Sequence, residues 1–330
     1  MPTRFLSTVC PSLILTLVLT LPAGLARAES PANIPSSRDL LSSGHVDDAL
    51  QILEERVQQP VADGEAYNLL CRAYFMLEEW DRGIAACERA RDIDPQNGRY
   101  YLWLGRIYGE KADHVSFISA APIAKKVRES FERAVQLDPQ SWEARTDLAE
   151  FYLEAPGLVG GGKDKAHQQA EVIARLNPAM AHWVEGRIAE KNDDAATAER
   201  EYRAAIAVSH SGTRSWLDLA AFMRRNHQKT EMEEALRTLE KSPVDRRESL
   251  MDAGSLLLQT GRDFPMAVRL LRRYLADPVE EGPAFKAHDL LGRILEKQGD
   301  RQAAAEEFRS ALALAHTYAK AREDLRRVER

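Results

Sequence analysis

Gly157, Gly162 and Lys163, in the stretch EAPGLVGGGKDKA, spell G-x-x-x-x-G-K. In a phosphate-binding loop that spacing lets backbone N–H groups and the lysine cradle phosphates, and a Ser or Thr follows to hold magnesium. Here Asp164 takes the last place and would repel phosphate. The preceding WEARTDLAEFYLEA has helical periodicity, whereas the phosphate motif follows a strand. The stretch therefore reads as a loop, in which Pro156 stops a helix and Gly157, Gly160, Gly161 and Gly162 permit a tight turn with positive φ. No other set of residues has catalytic spacing. The eight histidines never form H-E-x-x-H, no C-x-x-C pair occurs, and there is no G-x-S-x-G elbow. Acidic residues such as Glu78, Glu79, Asp193 and Asp194 read as solvated helix ends. The expectation is a protein without catalytic residues, bound metal or cofactor.

The elements around these residues begin with MPTRFLSTVCPSLILTLVLTLPAGLARAES. Arg4, an apolar run from Leu13 to Leu21, and Ala26-Arg27-Ala28 follow the order of a secretory signal peptide over residues 1–28. The run is shorter than the roughly 20 residues of a membrane span, and Cys10 precedes it, the wrong place for a lipoprotein cysteine. Retention as an uncleaved anchor is the alternative. Cleavage after Ala28 removes Arg4 and Arg27 and leaves 43 basic against 51 acidic residues, a net charge of −8. That mildly acidic balance gives no reason to expect nucleic acid, and no later apolar run approaches membrane length. The protein is expected to be exported, periplasmic or secreted.

The mature chain repeats itself. Tyr101, Leu104, Gly105 and Tyr108 are followed by Phe131, Ala134 and Pro139. The same order returns as Tyr67, Leu70, Cys71, Tyr74, Gly83, Cys87, Ala90 and Pro95, and as His182, Gly186, Ala189, Ala198, Tyr202 and Ala205. It appears again as Trp216, Leu219, Ala220, Met223, Leu236 and Leu239, and as His288, Leu291, Gly292, Leu295, Ala304, Phe308 and Ala311. Apolar positions at i, i+3, i+4 and i+7 make one face of a helix. Small residues let paired helices approach, and DIDPQN, QLDPQS and RLNP end second helices. One hairpin cannot bury its own apolar face, so neighbours must stack.

This order resembles the tetratricopeptide repeat (TPR), with its W-x-x-L-G-x-x-Y…A-x-x-x-F…P pattern and a period of about 34 residues. The resemblance implies an all-α, right-handed solenoid of seven to eight hairpins. Units fall at 29–63 (degenerate), 64–97, 98–141, 142–178, 179–212, 213–244, 245–284 and 285–316, with a polar capping helix at 317–330. Glu185 stands where the pattern wants Leu, so that unit is either loosely packed or supplies the carboxylate with a neighbouring cation. From the small residue of the first helix to the closing proline, Cys71–Pro95 spans 24 residues, Gly105–Pro139 spans 34 and Ala149–Pro178 spans 29. Two units thus carry inserts, around 110–124 and 155–165. Lengthened units of this kind are similar to those of many exported bacterial TPR proteins, and distantly to the TPR domain of regulator-of-microtubule-dynamics proteins.

The resemblance also implies a concave groove lined by the first helices. Its candidate contacts are Asn68, Arg72, Phe75, Leu102, Arg106, Trp183, Arg187, Leu217, Arg224 and Arg293, with Thr146, Glu150, Met251, Leu258 and Asp289 at corresponding positions. Four arginines recur at one position, which suits an acidic or apolar protein segment if they are displayed, and is plain helix surface if they are not. The expected function is a non-catalytic interaction module binding an extended segment. The alternative is a structural component that self-associates into an envelope assembly. Cys71 and Cys87 sit at the small and aromatic positions of one hairpin. The sequence leaves two readings, a pair of buried thiols or an intra-hairpin disulfide.

Overall fold

The computed structural model describes residues 36–277 and 283–330, except for the side chain of Phe117. The expected signal peptide and residues 29–35 of the first unit lie outside the described residues. Among the described residues every regular element is helical. The helices are α1 (Ser37–Ser42), α2 (Val46–Val57), α3 (Gly64–Met76), α4 (Trp80–Ile93), α5 (Gly98–Asp113), α6 (Phe117–Leu137), α7 (Trp142–Glu154), α8 (Lys163–Leu176) and α9 (Pro178–Glu190). They continue as α10 (Ala195–Val208), α11 (Thr213–Arg225), α12 (Lys229–Lys241), α13 (Glu248–Thr260), α14 (Phe264–Leu275), α15 (Ala284–Lys297), α16 (Arg301–Leu314) and α17 (Ala319–Val328).

Local chemistry sets the ends. Asp63, Asn97, Ser141, Asn177, Asp194 and Asp300 each accept a hydrogen bond from a backbone N–H in the first turn of the helix that follows. Pro95 and Pro139 follow the last residues of α4 and α6, and Pro178 opens α9 at its first position. In six hairpins a residue between the two helices takes a left-handed conformation: Gly44, Glu78, Asp193, His227, Gly261 and Gly299, with φ between 57° and 89°.

Consecutive helices pack as antiparallel pairs, α3 on α4 through α15 on α16, and α17 covers the last pair. Small residues allow that approach. At Gly105 a Cβ would overlap the Phe131 ring, and at Gly292 it would lie 2.6 Å from Phe308. Cys71 and Cys87 occupy the same two positions of the α3–α4 hairpin. Their Cα atoms are 5.1 Å apart and the sulfurs are bonded, so the disulfide reading holds and the thiol reading does not.

A second device ties neighbouring hairpins. Tyr74 Oη donates to Glu54 at 2.8 Å, Tyr108 to Glu88 at 2.5 Å and Tyr152 to Glu132 at 3.1 Å. In each case the glutamate belongs to the preceding hairpin's second helix, 20 residues earlier. A cation of the tyrosine's own hairpin lies over each ring: Arg82 at 4.2 Å, Lys126 at 4.9 Å and Lys165 at 5.3 Å. Burial and the glutamate raise all three phenols, Tyr152 to about 12, so each stays a donor.

The two inserts differ in form. The first forms no separate segment between its helices: α5 runs 16 residues and α6 runs 21, against 13 and 14 in the preceding hairpin. The second is a 3₁₀ turn at Gly157–Val159 and a glycine run, in which Gly160 and Gly162 have φ of 102° and 158°. Gly157 and Gly161 are not among the positive-φ residues. Gly161 is needed for space instead, since a Cβ there would strike the carbonyl oxygen of Ala155. Glu185 is satisfied by His167, whose Nδ1 is 2.7 Å from its Oε1.

Reducing the Cys71–Cys87 bond should destabilise the protein by about 3 kcal/mol, as expected for a loop of 16 residues. Urea unfolding with and without reductant measures it, and identical midpoints would show that the bond does not constrain the chain. Gly105→Ala should cost about 1–3 kcal/mol in the same assay, through overlap with Phe131.

Candidate binding groove

Except at α5 and α7, the first helices of successive hairpins touch one another: α1 and α3, α3 and α5, α7 and α9, α9 and α11, α11 and α13, α13 and α15, and α15 and α17. Among the second helices only α12 and α14 are in comparable contact. The first-helix layer is therefore the inner, more tightly curved side, and its free face is the concave wall.

The structure places the expected contacts unevenly along it. Asn68 and Arg72 have no accessible surface, and Leu102 and Trp183 are buried, so these four belong to the wall's interior rather than to its surface. This corrects the expectation that they meet a ligand. Phe75 and Leu217 are half-buried, and Phe75 packs edge-on against Trp80 and Trp103. The arginines are not displayed as bare cations. Arg72 lies 5.2 Å over the Trp103 ring. Arg106 Nε donates to Asp147 at 2.7 Å, and its guanidinium lies 4.9 Å over the same indole. Arg187 reaches Glu154 at 2.5 Å and Glu190 at 3.5 Å. Arg224, exposed, donates to Gln259 at 3.4 Å, and Arg293 is 3.9 Å from Asp324. Two further pairs lie on the same wall, Arg214–Asp218 at 2.9 Å and Arg225–Glu190 at 2.7 Å.

What remains over is negative. Glu110 on α5, Glu150 on α7, Asp252 on α13 and Asp289 on α15 have no cation at ion-pair distance among the described residues. Loss of solvation within the wall pushes all four carboxyls upward, although Glu150 and Asp252 keep exposed surface, and like charge reinforces it for three of them. The reinforcing carboxylates are Asp113 beside Glu110, Asp147 beside Glu150 and Asp324 beside Asp289. Asp252 rises by desolvation in spite of Arg246 and Arg214. Asp289 is pushed to about 6, and its Oδ1 is buried without a hydrogen-bond partner. By contrast, two paired carboxyls stay below the usual range against the pull of burial: Glu154 held by Lys191 and Arg187, and Glu190 held by Arg225.

The glycine turn has no free cradle. Gly160 N donates to Gly157 O at 3.0 Å, Gly161 N to Pro156 O at 3.2 Å and Gly162 N to Tyr152 O at 2.8 Å. Lys163 Nζ is held by Lys191 O at 2.9 Å in the next hairpin, and Lys165 Nζ by Gly160 O at 2.9 Å. The donors that would bind phosphate are used to close the loop.

Comparison with known proteins fits this architecture. The tetratricopeptide repeat family profile matches residues 36–98 and 251–321, the two ends of the array. The crystal structure of yeast Tom70 superposes with a TM-score of 0.50 at 15% identity, over 86% of this chain and 58% of that one. A tetratricopeptide repeat protein from Parabacteroides merdae gives a TM-score of 0.45 at 13% identity, over 89% and 96% of the two chains. The APC/C hetero-tetramer Cut9–Hcn1 gives 0.40 at 14%, over 89% of this chain and 54% of that one. At such identities the likeness concerns the fold alone. No curated protein matches the sequence. By its helical-hairpin architecture the molecule is an α-solenoid, a class of interaction scaffolds. Within that class, residues 36–98 and 251–321 match the tetratricopeptide repeat.

Asp289 gives a test with a definite sign. Its folded-state carboxyl titrates near 6 against an ordinary 3.8, so between those values the folded state holds a proton that the unfolded chain has lost. Its contribution to stability is full below pH 4 and falls as pH rises through 6. The charged groups facing it are Asp324, Arg293, Lys320 and Arg327. Asp289→Asn should therefore be more stable than the parent at pH 7.5, by on the order of 2 kcal/mol, and equal to it at pH 4. Melting curves at the two pH values decide this, and a constant difference would contradict the assignment.

Proposed function

We propose that the protein is a non-catalytic scaffold of an exported compartment whose concave groove takes up an extended, cation-bearing protein segment. One observation carries the choice of partner chemistry: Arg106, Arg187, Arg214 and Arg225 are each paired with a carboxylate within the wall, whereas Glu110, Glu150 and Asp252 have no cation at ion-pair distance among the described residues. A segment with lysines or arginines at helical-repeat spacing would supply the missing cations. Half-buried Phe75, Leu217 and Met251 offer apolar contact beside those charges. The sequence allows an acidic or apolar segment, and the pairing of Arg106 with Asp147 and of Arg187 with Glu154 and Glu190 makes a cationic segment the better fit.

Export is supported by the leader-like N-terminal sequence and by the buried disulfide, a bond typical of oxidising compartments. The self-associating reading has less behind it. The last hairpin is covered by α17, which buries Ala321 and Val328 and turns a strongly polar face outward, so the C-terminal end offers no apolar surface for stacking.

Titration calorimetry of the mature protein with two peptides of equal length, one lysine-rich and one glutamate-rich, tests the proposal. The lysine-rich peptide should bind and the other should not. Glu150→Gln combined with Asp252→Asn should weaken binding by about tenfold, two ion pairs' worth. Preference for the glutamate-rich peptide, or indifference to both substitutions, would overturn it.

A further inference from the structure

The two ends of the array meet. Glu78, in the α3–α4 turn, places Oε1 2.9 Å from Lys286 Nζ on α15 and Oε2 2.8 Å from Lys320 Nζ on α17. Asp47 Oδ2, at the start of α2, accepts from the His316 backbone N–H at 2.8 Å and lies 2.8 Å from its Nδ1. The α1–α2 turn abuts the start of α15 closely enough that a Cβ on Gly44 would strike the Ala284 side chain.

Among the described residues, neighbouring hairpins are joined by helix packed along helix, whereas the first two hairpins meet the last two with at most slight helix contact. A crevice of about 180 Å³, lined by Ser42, Ser43, Tyr274, Asp277 and Ala284 among others, runs into the contact. Against the upward pull of burial, Lys286 and Lys320 hold the Glu78 carboxyl below its usual range.

Glu78 also adopts φ of 63°, at the turn position filled elsewhere by Gly44, Gly261 and Gly299 and by Asp193 and His227. A side chain is strained there, and this one reaches across to the far end of the array.

We propose that the joint is an electrostatic latch: closed, it makes the concave wall a ring, and when Glu78 is released the array parts at this point and the groove opens to an incoming chain. Because ion pairs carry much of the contact, alongside the close approach of Gly44 to Ala284, screening by salt weakens it. A cationic segment can also compete for Glu78. That second route rests on the partner chemistry proposed above, whereas the test that follows uses no partner.

Spin labels at Gln51→Cys on α2 and Gln302→Cys on α16 report the distance between the ends in the mature, disulfide-intact protein. At about 0.02 M salt one short, narrow distance is expected, and at about 1 M it should shift outward and broaden. Glu78→Gly should produce the open distribution already at low salt, with helicity and melting temperature preserved, since glycine suits that turn. Lys320→Ala, at a more exposed position, should shift it part of the way. A distance unchanged by salt and by both substitutions would overturn the proposal, as would a parent protein already open at low salt.

Discussion

An isolated two-helix hairpin has more apolar surface than its two helices can cover for each other. Everything else in this molecule depends on that constraint. Within a hairpin, a small residue on the first helix admits a ring from the second, as Gly105 admits Phe131 and Gly292 admits Phe308. Between hairpins, the remaining apolar faces meet and merge into one cluster running from Leu41 to Ala321. The Cys71–Cys87 bond replaces the small-and-ring contact in one hairpin with a covalent link. The polar tyrosine–glutamate contacts fix the register in which successive hairpins stack. The last apolar face is closed by α17.

Stacking creates the concave wall as a by-product, and the wall's chemistry follows from which charges find partners within it. An arginine on one first helix can reach an acid on the next, as Arg106 reaches Asp147, or on the one before, as Arg187 reaches Glu154. Such pairs join hairpins and consume positive charge. The carboxylates left without partners are desolvated by the wall and lie near other acids, Asp113, Asp147 and Asp324 among them, which disfavours their ionised form and makes an external cation welcome.

Much of the fold was legible in the sequence because its determinants are local and repeat. Tyr101, Gly105, Phe131 and Pro139 announce a hairpin from their spacing alone, and the chain returns to that order several times. The glycine-lysine stretch was legible as a loop from Asp164 and the helical run before it. The excess residues near 110–124 were counted in the sequence, but their continuation as helix was not. The glutamate-to-tyrosine spacing of 20 residues was present as a signal in three hairpins and went unread. The groove was legible in position and not in charge, because pairing joins residues at separations as different as 41 and 33. Cys71 and Cys87 faced each other on any reading, but spacing does not tell bond from thiol. The joint between Glu78 and Lys320, 242 residues apart, leaves no local trace.

The claim on which the functional account turns is that carboxylates, not arginines, are the unsatisfied charges of the concave wall. Carboxyl-carbon NMR of the protein, followed through an acid titration, reads this residue by residue. The account predicts midpoints above the ordinary carboxylate range for Glu150, Asp252 and Asp289, and below it for Glu154 and Glu190. Ordinary midpoints throughout, or a depressed value at Glu150, would mean that the wall satisfies its own acids and has no call on a cationic partner.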